Sequence, residues 1–178
     1  MSSLNLKGLA RFALVAGLSL GLSACFRPLY GPTASGESLQ TTLASIDVPE
    51  LTWPEDDARF GHFLRSELIY ELNGSGQQVP KRYALRLSFR DSLTTPIVDS
   101  ESGRALAATL NGTLTYRLTS LDGSTVITQG TATGSASYDR FEQRFATVRA
   151  ARNAEIRLAK LLAEQVKTRL AATLAART

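Results

Sequence analysis

Residues 108–137 read ATLNGTLTYRLTSLDGSTVITQGTATGSAS, and their periodicity decides the fold. Ala108, Leu110, Leu114, Tyr116 and Leu118 fall on one side of a two-residue repeat. Thr109, Asn111, Thr113, Thr115 and Arg117 fall on the other. Successive strand side chains point to opposite faces, so this pattern predicts a strand with one buried and one wet face. Leu121-Asp122-Gly123-Ser124 follows, and Asp-Gly is a hairpin signal because a tight turn needs the positive φ that glycine adopts freely. A further strand is expected from about Thr125 to Ser137. It sets Gly130, Ala132, Gly134 and Ala136 on one face, where small residues let a helix approach closely.

Working outward, Tyr83, Leu85, Leu87 and Phe89 alternate with Ala84, Arg86, Ser88 and Arg90. This is another half-buried strand, with a basic outer face, joined to the next through a polar loop at Asp99 to Gly103. Ser45-Ile46-Asp47-Val48, closed by Pro49, predicts a short first strand. Between these strands, Thr52-Trp-Pro-Glu55 is a helix-start signal with capping-box spacing, and Asp56 and Asp57 complement the helix dipole. Phe60, Leu64, Leu68 and Leu72 follow at intervals of four, with Phe63 beside them, and Asn73-Gly74 supplies the stop. From about Phe145 to Ala176 the chain predicts a long helix free of Gly and Pro. Its buried stripe is Leu158, Leu162, Val166, Leu170 and Leu174, extended by Val148 and Ala151.

The expected architecture is therefore α+β: a single domain over residues 44–178, in the order β-α-β-β-β-α. A mostly antiparallel four-stranded sheet is covered on one face by two helices. The other face, with Arg86, Arg90, Arg117 and many Thr, is left wet or open to a partner. These three arginines form a candidate anion site, because guanidinium pairs with phosphate or carboxylate in a planar, two-pronged way.

The N-terminus reads as an export signal. Lys7 and Arg11 form a basic segment, and residues 12–22 (FALVAGLSLGL) form an apolar run too short to span a membrane. Leu22-Ser23-Ala24-Cys25 then matches a lipobox. Residues 1–24 are expected to be removed, leaving Cys25 as the N-acylated, S-diacylglycerol-bearing terminus of a membrane-anchored lipoprotein. Several acyl chains anchor firmly, because each buried CH₂ contributes about 0.8 kcal/mol. Residues 25–43, rich in Pro, Gly, Ser and Thr, read as the acylated end and an extended tether.

Composition argues against most chemistry. The chain has 20 basic and 16 acidic residues; without Lys7 and Arg11 the mature part has 18 and 16, a net of +2, which gives nucleic-acid binding no support. His62 is the only histidine and falls mid-helix, as a helix flank. Cys25 is the only cysteine, so neither a metal set nor an internal disulfide is expected. No nucleophile-elbow, Walker or dinucleotide pattern occurs, and the chain reads as a non-enzyme without cofactor.

Directly after the lipobox stands Cys25-Phe26-Arg27-Pro28-Leu29-Tyr30-Gly31. This resembles the start of the LPS-assembly lipoprotein LptE family in its alphaproteobacterial branch, Cys-Gly-Phe-x-Pro-Leu-Tyr-Gly, without the Gly after Cys. The run from Phe145 to Leu170 is similar to the family's closing helix, with Phe145 in place of a Tyr and Asn153 in place of an acidic residue. The resemblance implies a lipid-anchored protein on the periplasmic face of the outer membrane. It implies a partner, the β-barrel LptD, which such a protein helps assemble and plugs. It also implies contact with lipopolysaccharide, for which Arg86, Arg90 and Arg117 are the candidates by face. No Asp follows Cys25, and Phe26 permits outer-membrane delivery. A lipid carrier acting alone and the lipoprotein component of a lipid transporter are the alternatives.

Overall fold

The computed structural model describes residues 37–50, 58–74, 76 and 78–177. The signal segment, Cys25, the Phe26–Gly31 motif and the helix-start residues Thr52 to Asp57 lie outside the described residues. Seven elements follow in order: α1 (Leu39–Ala44), β1 (Ile46–Asp47), α2 (Ala58–Asn73), β2 (Tyr83–Thr94), β3 (Ala107–Ser120), β4 (Val126–Asp139) and α3 (Arg144–Arg177).

The strands form one sheet in the order β1-β2-β3-β4. β2, β3 and β4 are antiparallel neighbours, while β1 runs parallel to β2, with Ile46 opposite Tyr83. The sheet is thus mixed: α2 carries the chain from β1 back to a parallel β2, as a parallel pair requires a long crossover. The Asp-Gly hairpin joins β3 to β4. Gly123 has φ 75°, and the Ser120 amide bonds the Thr125 carbonyl at 2.9 Å.

The core lies between the sheet and the helices. Leu85, Phe89, Leu114, Leu118, Ala132 and Ala136 rise from the sheet; Phe60, Leu64, Leu68 and Leu72 come from α2, and Leu158, Leu162, Val166, Leu170 and Leu174 from α3. The Phe60 ring stacks on Phe89 with centroids 4.1 Å apart. Small residues on β4 do admit the helix: a Cβ on Gly134 would stand 2.7 Å from Leu161 Cδ2 and 3.2 Å from Leu158 Cδ1. The two long helices run parallel, registered by Arg59–Glu155 (2.5 Å) and Lys167–Glu71 (2.7 Å), each twelve residues further along both helices.

Three local expectations change. Residues 39–43 are not extended tether but the body of α1, capped by the Ser38 hydroxyl, which accepts from the Thr41 amide; Leu39, Thr42, Leu43 and Ala44 are buried. β2 continues four residues past Arg90, although Asp91 interrupts its apolar alternation. Val148 does not extend the α3 stripe: it is exposed, Ala151 is half-buried, and the buried stripe starts at Ala154, because the sheet ends before α3 begins its first two turns.

Candidate binding face

Among the described residues, no helix or strand covers the face of the sheet opposite the helices. β2 presents Arg86, Ser88, Arg90 and Ser92 there, and β3 presents Asn111, Thr113, Thr115 and Arg117. Residues of β4 pair with them across the sheet: Thr115 with Thr131, Thr113 with Thr133, Asn111 with Ser135, and Thr109 with Ser137. The Thr109 and Ser137 hydroxyls bond each other at 2.9 Å. The face is a hydroxyl ladder because every position between the buried leucines of β3, and between the small residues of β4, carries Thr, Ser, Asn, Gln or Arg.

The three arginines chosen from sequence are all exposed on this face. Arg86 stands directly opposite Arg117 in the β2–β3 register, and Arg90 stands opposite Thr113. Paired positions place Cβ atoms about 5 Å apart, so the sheet brings Arg86 and Arg117 together. Arg90 lies four residues along, about 13 Å away. Arg117 donates through Nε and Nη2 to Gln129 Oε1 at 3.2 and 3.0 Å, which turns its guanidinium toward β4, on the side of β3 away from Arg86. Two carboxylates border this face: Asp47 on β1 pairs with Ala84, two residues before Arg86, and Asp139 pairs with Ala107 at the far end. Arg86 and Arg117 thus share one exposed face at paired strand positions, with guanidiniums of the kind that bind phosphate or carboxylate.

Sequence reasoning missed a second cationic feature at the far end of the sheet. Arg104, Arg140 and Arg144 line an open cleft of about 500 Å³ with Phe141, Glu142 and Val148. Arg104 pairs with Glu142 at 2.8 Å, and the Phe141 amide bonds Thr147 Oγ1 at 2.9 Å. Phe145, beside the cleft in sequence, is 75% exposed. The signal was present in Arg140-Phe-Glu-Gln-Arg-Phe145, two aromatics four apart among charges, where the helix face has no core to meet.

His62 is exposed on α2 beside Phe63, with ring centroids 6.1 Å apart. Among the described residues no three His, Cys, Asp or Glu side chains gather as a metal site, and no helix is long and apolar enough to cross a membrane.

The family model described as LptE, lipopolysaccharide-assembly, matches residues 43–170. Among curated proteins, none matches. A solved structure of a candidate lipoprotein from Caulobacter crescentus CB15 superposes with a TM-score of 0.62 at 24% identity, covering 77% of this chain and 96% of that one. At that identity the likeness concerns the fold. A minor lipoprotein from Acinetobacter baumannii gives a TM-score of 0.43 at 18% identity over 74% of this chain and 89% of its own.

Proposed function

Because the chain belongs to the LptE family of lipopolysaccharide-assembly proteins, we propose that it is the outer-membrane lipoprotein that partners an LptD-like β-barrel. In this reading Cys25 is acylated and anchors the protein at the periplasmic face, and residues 26–36 span from lipid to domain. The folded unit then assists assembly of the barrel and occupies its interior. It works by binding and filling, without catalysis or cofactor.

The observation that carries this reading beyond family membership is the uncovered face. A polar lumen wall is met by hydroxyls and guanidiniums, and the Arg86–Arg117 pair offers a place for a lipopolysaccharide phosphate. Arg90 would add a second contact farther along β2. A lipid carrier acting alone needs an apolar cavity; the layer between sheet and helices is instead filled by side chains such as Leu114, Leu118, Leu158 and Leu162, all fully buried. That packing favours the assembly reading over the carrier alternative.

The test is depletion of this protein in its own bacterium. The expected outcome is loss of correctly folded LptD-like barrel together with a fall in surface lipopolysaccharide. Normal barrel folding and normal surface lipopolysaccharide after depletion would refute the proposal.

A further inference from the structure

The outer edge of the sheet is closed by α3 in a repeating pattern. β4 ends the strand order among the described residues, so no described strand lies along one side of its backbone. Four α3 side chains donate to carbonyls along that side. Arg157 Nη2 reaches Ser137 O at 2.6 Å, Gln165 Nε2 reaches Thr133 O at 2.9 Å, Arg169 Nη1 reaches Thr131 O, and Arg177 Nη1 reaches Ile127 O at 3.3 Å. All four acceptors are odd-numbered, as expected for carbonyls pointing to one side of a strand.

The spacing follows a rule. The donors advance along the helix by 8, 4 and 8 residues while the acceptors retreat along the strand by 4, 2 and 4. Two helical residues rise about 3.0 Å and one strand residue about 3.3 Å. Helix and strand therefore stay in step at two to one over roughly 30 Å. The rule also names the rungs that are missing: position 161 faces 135, and position 173 faces 129. Leu161 has no donor, and the Thr173 hydroxyl donates instead to Arg169 O at 2.9 Å.

We propose that α3 acts as a side-chain substitute for a fifth strand, closing the β4 edge against strand addition by a second copy of this chain. A bare edge is a template for pairing, and cationic side chains along it are a known means of blocking that pairing. An incoming strand needs these carbonyls as acceptors for its own amides, and here they are already engaged. Partners are thereby directed to the open face or to the loop end of the sheet.

The experiment compares the full chain in detergent micelles with a Gln165→Leu/Arg169→Met variant, which keeps side-chain volume and removes two donors. Self-association is read by light scattering and β4 amide protection by hydrogen exchange. The expected result is at least ten-fold tighter association, with β4 amides exchanging more slowly in the associated form. A variant with the wild-type circular dichroism spectrum that associates no more tightly, or associates without β4 protection, overturns the proposal. If the double variant fails to fold, Leu161→Gln decides, because it adds a donor opposite Ser135. It is expected to associate at least two-fold more weakly than the Leu161→Ala control, and equal association overturns the proposal.

Discussion

Arg86 and Arg117 occupy directly paired positions on neighbouring antiparallel strands, with both side chains on the uncovered face. Like charges so placed cost stability, about 0.2–1 kcal/mol, unless an anion lies between them. Arg86→Thr is therefore expected to stabilise the protein by about 0.5 kcal/mol in chemical denaturation. The same change is expected to weaken lipopolysaccharide binding about ten-fold, the worth of one charge-assisted hydrogen bond. Charge reversal at Arg86, Arg90 and Arg117 together is expected to abolish measurable binding. Unchanged binding in that triple variant would remove the three arginines from the lipopolysaccharide contact.

The glycines of the sheet differ in what surrounds them. A Cβ on Gly130 would stand 2.6 Å from the Tyr116 hydroxyl oxygen and 2.9 Å from Cζ, against a buried ring. On Gly112 it would meet Phe89 Cε2 at 2.9 Å and Leu158 Cδ2 at 3.0 Å, in the core. Gly112→Ala and Gly130→Ala are each expected to cost about 1–3 kcal/mol through overpacking. On Gly134 the clash is with the end of Leu161, a partly exposed side chain that can turn toward solvent. Gly134→Ala is expected to cost under about 1 kcal/mol. Urea titration of the three variants checks the ranking.

Lys167 and Glu71 join α3 to α2 at 2.7 Å, with side chains 26% and 14% exposed. Removing one partner leaves the other charge poorly solvated. Lys167→Met is expected to destabilise by about 1–2 kcal/mol, reduced from the fully buried case by residual solvent. The exchanged pair Glu71→Lys/Lys167→Glu is expected to recover at least half of that loss. A double-mutant cycle in denaturant measures the coupling.

Much of this was legible in the chain because one pattern enforced another. In residues 108–137, every buried leucine or small residue alternates with a polar one, so a one-residue slip would bury a row of Thr, and Asp122-Gly123 sets the hairpin. The α3 stripe was equally plain from Leu158 onward. α1 was not, since six residues containing two Thr have little helical tendency; the Ser38 cap and burial of Leu39 and Leu43 hold it. The open face could be assigned from alternation, but the Arg86–Arg117 pairing could not. Pairing depends on register across the long β2–β3 connection, which no local signal specifies. The rungs between α3 and β4 were illegible for a related reason: they arise from the match of two element pitches, visible only when helix and strand lie side by side.

The β3–β4 turn is expected to make stability sensitive to acid. The Asp122 carboxylate accepts from the Ser120 hydroxyl and from the Ser124 amide and hydroxyl, and these bonds hold it below the ordinary aspartate value of 3.8. A depressed folded-state value means the stabilisation is complete above 3.8 and is lost as pH falls through the folded value. The melting temperature of the wild type is expected to fall more steeply than that of Asp122→Asn between about pH 5 and about pH 2. Parallel curves would show that these hydrogen bonds contribute nothing to folding.

The most direct measurement of the central claim is affinity purification of the tagged, acylated protein from detergent-solubilised outer membranes, with the co-eluting proteins quantified. The expected result is a large β-barrel in near-equal amount. Elution alone, or together with inner-membrane transporter subunits, would contradict the barrel partnership.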